Sequence, residues 1–251
     1  MGLTDELVPV LKKLKLGGVL ETLDLRTTQA VDDNLGYAEF LYRLLQDEVG
    51  RRDARQLESR LARASFEHQK TLEDFDFAFN PDVPKAKIID LATCAFLRRH
   101  ENVLLLGKAG VGKSHIAQAI GHRACMAGFK VVYTASDAML KQLRAARGDG
   151  SYERQLLGFT TPHLLIIDDV ALRPLTGDQP GDLYEIIRAR YERASIIVTS
   201  NRLGQDWGKY LGDATMAATI LDRLMHRAAM LEFEGKSYRL KEAASRIALN
   251  V

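Results

Sequence analysis

Apolar residues recur at two different spacings along this chain, and the change between them divides it. Up to about residue 66 they follow the helical repeat, with Leu7, Val10, Leu11 and Leu14 in one run and Phe40, Leu41, Leu44, Leu45, Val49, Leu57 and Leu61 in another. Thr4, followed by Asp5 and Glu6, predicts a capped and acidic first turn. Gly17 and Gly18 are expected to stop that first run, a short helix to cover about 19–27, and a long one about 35–64 with Gly50 as the place for a bend. From residue 85 onward the pattern changes. Short continuous apolar runs at 103–106, 131–133, 164–167, 196–199 and 230–233 alternate with helical stretches. Strands apolar on both faces and separated by helices form a parallel sheet covered on both sides.

Between the two regimes, "EHQKTLEDFDFAFNPDVP" (67–84) contains two prolines, the alternation Phe75-Asp76-Phe77, and Phe79. It reads as a linker with aromatic anchor points, followed by a helix over 85–99. The expected organisation is a small all-α N-terminal domain (1–66), the linker (67–84) and an α/β domain with a five-stranded parallel sheet (85–251). The stripes of the first domain bury one another or a second copy of the chain.

Composition narrows the picture. Of 251 residues, 46% are hydrophobic, enough for a packed core and too many for a disordered chain. A formal net charge of +2 gives no general attraction to nucleic acid, so any such contact has to come from local clusters. Cys94 and Cys125 are the two cysteines, in separate predicted helices and without a C-x-x-C pair, which suits a reducing compartment. The opening "MGLTDELVPVLKKLKL" has no leader-like apolar stretch, and no run approaches the roughly 18 residues of a membrane span. A cytoplasmic protein with no membrane contact is expected.

"GKAGVGKS" (107–114) lies between an apolar strand and a helix and fits G-x-x-x-x-G-K-[ST]. Gly107, Gly110 and Gly112 let the backbone of Lys108, Ala109 and Val111 curl so that its N–H groups face phosphate oxygens. The N-terminus of the helix that begins with Lys113, Ser114 and His115 adds positive potential there. Lys113 can reach the β and γ phosphates, and the Ser114 hydroxyl can ligate Mg2+. A nucleoside triphosphate with Mg2+ is therefore the expected ligand.

Hydrolysis also needs a second metal anchor and a way to activate water. "LLIIDDV" (164–170) brings Asp168 and Asp169 to the end of a buried strand, where ligands of a parallel sheet gather. Asp168 is expected to hold the metal, and Asp169 to orient or deprotonate the attacking water. Asn201, just past the "SIIVTS" strand, is placed to hold the same water or the γ-phosphate. Arg223 in "ILDRLMHR" has two readings: it pairs with Asp222 or Glu232, or it reaches a neighbouring subunit's γ-phosphate as an arginine finger.

These pieces, with "KTLEDFDF", "ENVLLLG", "KQLRAARGDG", "RYERASIIVTSN", "ILDRLMHRA" and "SYRLKE", resemble the IstB-type ATPases that assist insertion-sequence transposases. Those proteins belong to the AAA+ class, in the branch of the DnaC helicase loader and the DnaA initiator. The resemblance covers nearly the whole chain and implies an AAA+ P-loop three-layer fold, with ATP as the nucleotide. It makes Lys113 and Ser114 the Walker A pair, Asp168 and Asp169 Walker B, Asn201 sensor one and Arg223 the finger. Arg239 of "SYR" takes the place of a second sensor. Two departures stand out. Many AAA+ proteins have Glu where Asp169 stands, which implies slow or partner-dependent hydrolysis. Residues 234–251 are too few for the usual four-helix lid, so none is expected.

Lys141, Arg144 and Arg147 share one helical face. They fall where the resemblance places a DNA-contacting helix, which implies salt-dependent phosphate contacts. Five arginines between 51 and 63 make a second basic patch. Phe75 and Phe77 either pack near the adenine or are plain core aromatics. The leading expectation is an ATP-switched homo-oligomer that assembles on double-stranded DNA and presents it to its cognate insertion-sequence transposase. A helicase loader on single strands is the alternative. A small-molecule P-loop kinase or GTPase ranks below both, because no N-K-x-D motif is present.

Overall fold

A computed structural model describes residues 3–202, 206–211 and 214–241 of the chain. It divides into two compact units, residues 1–59 and 60–251.

The first unit contains α1 (Leu3–Lys13), α2 (Gly17–Asp32) and most of α3 (Tyr37–Ala64). Leu11, Val19, Leu23 and Leu44 form its core, with Leu16, Leu20 and Phe40 packed around them. The Thr4–Asp5 cap lies outside the described side chains. Gly17 and Gly18 do not end α1, which stops at Lys13 with Lys15 turning the chain at φ 56°; they begin α2 instead. A Cβ on Gly18 would come 2.7 Å from the Glu48 backbone, so glycine permits α2 to start against α3. There the Gly18 N–H donates to Glu48 Oε2 at 2.5 Å, a buried carboxylate at a helix N-terminus. Arg52 neutralises that carboxylate at 2.6 Å. Arg26 bonds Asp47 at 2.7 Å, holding its carboxyl at about 2, and ties the extended end of α2 to α3. α3 runs through Gly50 without a break.

In the second unit β1 (Asn102–Gly107), β2 (Val131–Ala135), β3 (Leu164–Asp168), β4 (Ser195–Ser200) and β5 (Ala228–Phe233) form one sheet. Its order is β2-β3-β4-β1-β5, and every pairing is parallel. The central strands β1, β3 and β4 are buried almost throughout, whereas edge strand β5 is half-exposed. Asn102 locks the middle: its amide donates to Leu224 O and accepts from Ile196 N–H, at 3.1 and 2.9 Å.

α6 (Lys113–Met126) packs on the sheet against β1 to β4. A separate core joins Leu165, Ile167, Ile196 and Val198, neighbours across β3 and β4, to the later helices. Those are α7 (Ser136–Gly148), α8 (Tyr152–Thr160), α9 (Gln179–Arg190), α10 (Trp207–Leu211) and α11 (Ala214–Met225). The predicted single helix over 85–99 is two, α4 (Lys85–Ala92) and α5 (Ala95–Arg98). Cys94 turns the chain between them in the left-handed region, φ 60°, and this turn buries Ile88, Leu91, Phe96 and Leu97 together. After β5 the described residues hold one helical turn, 238–241, and no helical lid. Among the described residues no helix is long and apolar enough to cross a membrane.

Arg190 is fully buried and has no acidic partner among the described residues. Its guanidinium donates to the carbonyls of Phe159 and Ser195 at 2.9 and 2.6 Å, sealing the end of α8 to the start of β4. Replacing it with Met leaves those carbonyls unpaired in the core. Arg190→Met is predicted to lower unfolding stability by about 3 kcal/mol in a urea titration. A change under about 0.5 kcal/mol contradicts this role.

Candidate nucleotide site

The site is organised by one buried carboxylate. Asp168, at the end of β3, is 5% exposed. Its Oδ1 accepts from Ser114 Oγ at 2.9 Å and from Thr199 Oγ1, and its Oδ2 accepts from the Tyr133 hydroxyl at 2.7 Å. The donors come from the first turn of α6, from β4 and from β2, so four elements meet at this side chain. Burial, and then the bond to Asp168, push Tyr133 ionisation well above the ordinary value, so the phenol stays a donor.

Asp169 adopts φ 54°, a left-handed backbone uncommon for a side chain with a Cβ and frequent at functional sites. Its N–H donates to Thr199 Oγ1 at 2.9 Å. Burial raises its pKa first and the Asp168 charge adds to this, while Lys113 and Arg239 oppose it.

The loop between β1 and α6 curls through positive φ at Gly107, Gly110 and Gly112. Lys113 is buried, and its Nζ donates to Gly107 O, Lys108 O and Asn201 Oδ1 at 2.8, 2.7 and 2.6 Å. Burial lowers its pKa, against the pull of Asp169 and Asp168. Each ammonium proton thus has an acceptor, and a phosphate oxygen binding here takes the place of one of them. Lys108 and Ala109 are exposed, while Val111 is buried. The hydroxyl and carboxylate oxygens of Ser114, Asp168 and Asp169 are hard donors of the kind Mg2+ prefers. Among the described residues no three His, Cys, Asp or Glu form a metal cage.

Two segments cover the loop. From one side, the Phe75 ring lies where a Cβ on Gly112 would come within 2.5 Å of it, so this position needs glycine for space as well as for φ. The ring meets Phe77 and His115 edge-on, with centroids 4.7 and 5.2 Å away. His115 Nε2–H donates to Thr71 O at 2.8 Å, so this ring anchors the linker. Arg123 pairs with Glu73 and the His68 N–H donates to Gln118 Oε1 at 3.0 Å, continuing the contact along α6. From the other side, the Tyr238 N–H donates to Gly110 O at 2.9 Å and brings exposed Arg239 next to the loop.

Arg223 is half-buried on α11, with its guanidinium 4.9 Å from the Tyr184 ring centre. One of its terminal nitrogens is buried without a hydrogen-bond partner, and neither Asp222 nor Glu232 pairs with it. On α7, Lys141 and Arg144 are exposed. Arg147 is drawn into an ion pair with buried Asp182, which also accepts from the Tyr152 hydroxyl at 2.8 Å, and its guanidinium stacks 4.1 Å from that ring. The row of three therefore presents two charges with no partner among the described residues and one that braces α7 against α9. In the 51–63 patch, Arg51 and Arg52 pair with Glu21 and Glu48, and Arg60 donates to Cys125 O.

Sequence reasoning passed over Thr199 and Tyr133. Both lie toward the C-terminal ends of strands beside β3, and that position was the available signal.

The folded chain holds the Asp169 proton more tightly than the unfolded chain does, so ionisation of this group costs stability as pH rises through the carboxylate range. Asp169→Asn removes the charge, and Asn tolerates the left-handed backbone. It is predicted to stabilise the nucleotide-free protein by roughly 1 kcal/mol near neutral pH. The gain shrinks on acidification, as denaturant melts at two pH values will read. Unchanged or lower stability at neutral pH contradicts the assignment.

The sequence matches the family of IstB-like ATP binding proteins over residues 9–246. A Pseudomonas aeruginosa protein named for ATP binding in insertion sequence IS21 is 40% identical over 237 residues, 94% of this chain and 89% of that protein. A Mycobacterium tuberculosis protein, likewise named for ATP binding in an insertion sequence, is 40% identical over 237 residues, 94% of each chain. The chain shares its fold with the DnaC helicase loader, at TM-score 0.51 and 19% identity, over 59% of this chain and 87% of that one. With the P-loop, the buried Asp168 centre and a family match that spans nearly its whole length, the chain belongs to the IstB-like ATP-binding proteins of insertion sequences.

Proposed function

We propose that this protein is an ATP-switched assembly factor for DNA transposition, which oligomerises on duplex DNA and engages its element's transposase. One observation carries the reading: the successive residues Lys113 and Ser114 bond Asn201 and Asp168, while Arg223 has no acidic partner among the described residues. Lys113 and the nearby Arg239 are this chain's own cations at that centre, and a neighbouring subunit's Arg223 would add a further one for the developing γ-phosphate charge.

Ser114 and Asp168 would hold Mg2+, which supplies charge neutralisation on the phosphates. Lys113 leaves its loop carbonyls to bind phosphate oxygens. Asn201, already bonded to Lys113, holds water or the γ-phosphate. Asp169 takes the water's proton, and a side chain one methylene shorter than Glu makes hydrolysis slow or dependent on partners. Lys141 and Arg144 would contact DNA phosphates without reading sequence. The insertion-sequence naming of both relatives supports the transposition setting.

Light scattering with ATP and duplex DNA is predicted to detect large particles for the native protein and none for Lys113→Ala. Arg223→Ala should retain ATP binding and lose about 10³-fold in hydrolysis. Assembly confined to single-stranded DNA would favour the loader reading that the DnaC-like fold suggests. A chain that stays monomeric with ATP and either DNA would overturn both.

A further inference from the structure

The segment carrying Arg239 has little of its own to hold it. It follows edge strand β5, it is largely exposed, and its one backbone bond to the P-loop is Tyr238 N–H to Gly110 O. The linker supplies the rest. Asn80, 4% exposed, donates from Nδ2 to Lys236 O and accepts at Oδ1 from Lys236 N–H, both at 3.0 Å. One amide thus satisfies both backbone groups of a residue 156 positions away, as a neighbouring strand would. The approach depends on Gly235, at φ 120°, where a Cβ would come 2.4 Å from Asn80 Oδ1.

Around that bond a second layer closes. Phe79 meets Tyr238 edge-on with centroids 5.3 Å apart. Lys241 Nζ lies 4.3 Å from the Phe79 ring centre, 5.3 Å from that of Tyr238 and 3.8 Å from Asp76. Arg239 is thus in a turn pinned on both sides, by Tyr238 and by Lys241. Its charge acts on Lys113 and on Asp169, after burial and the nearer charges.

We propose that Asn80 is a positioning residue for Arg239: it clamps the linker to residues 235–241 across the P-loop and so aims Arg239 at the γ-phosphate. This inference rests on the nucleotide-site reading above. It gives the linker a part in nucleotide discrimination, since an arginine fixed beside Lys113 and Asp169 distinguishes a triphosphate from a diphosphate.

The test is a double-mutant cycle on the full chain, with ATP and ADP affinities measured by equilibrium titration. Arg239→Ala should weaken ATP about tenfold and leave ADP within about twofold. Asn80→Ala should reproduce that pattern, and the double variant should bind ATP no more weakly than Arg239→Ala alone. Lys241→Ala, which leaves both Asn80 bonds intact, should show a smaller loss in the same direction. It serves as the second probe if Asn80→Ala folds poorly by thermal melt. Should Asn80→Ala weaken ATP and ADP equally, or add fully to Arg239→Ala, Asn80 is a structural brace and the proposal fails. A native protein that binds ATP through Lys113 but is indifferent to Arg239→Ala overturns the clamp alone. Native protein that binds no nucleotide overturns the site reading as well.

Discussion

Taking a carboxylate out of water costs several kcal/mol unless its lone pairs are met, and Asp168 is met by three hydroxyls. Ser114, Thr199 and Tyr133 reach it from α6, β4 and β2. The requirement works in both directions. Asp168 stays buried because the strands deliver those hydroxyls, and the first turn of α6 is fixed because Ser114 must reach Asp168. That turn is where the P-loop ends. The curled loop ahead of α6 and the side-by-side placement of β2, β3 and β4 thus meet at one constraint.

Around that centre the chain accepts costs that packing alone would not select. Asp169 has a left-handed backbone and a carboxyl that burial disfavours in its charged form. Lys113 is buried, with its protons spent on loop carbonyls and Asn201. Arg223 keeps one buried nitrogen unbonded. Asp169 is strained and Arg223 unsatisfied in ways that the proposed phosphate, water or second subunit would relieve, while Lys113 would exchange a present acceptor for a phosphate oxygen. Arg190 differs: it is fully buried and, although its Nε is likewise unbonded, its terminal nitrogens donate to the carbonyls of Phe159 and Ser195, and its role is structural.

The sequence made the sheet legible because its strands are apolar on both faces and their helical separators contrast sharply with them. Lys113, Ser114, Asp168 and Asn201 were legible for a different reason, since each stands at a fixed offset from a strand end. What stayed hidden depends on long-range geometry. Thr199 and Tyr133 look like ordinary strand formers, and Asn80 like a turn residue before Pro81, until the fold brings their partners to them. Gly17 and Gly18 carry the usual stop signal, yet their use as a close approach to Glu48 is a tertiary fact. The break at Cys94 is likewise set by what must be buried on either side of it.

The central claim is that Ser114 and Asp168 together form the metal-phosphate centre of an ATP site. The most direct measurement is calorimetric titration of ATP with and without Mg2+ into the native protein, Ser114→Ala and Asp168→Asn. The account predicts that Mg2+ tightens ATP binding to the native chain. Both variants, still folded by circular dichroism, should lose that gain while keeping their Mg2+-free affinity. An undiminished Mg2+ effect in the two variants would place the metal elsewhere and contradict the account.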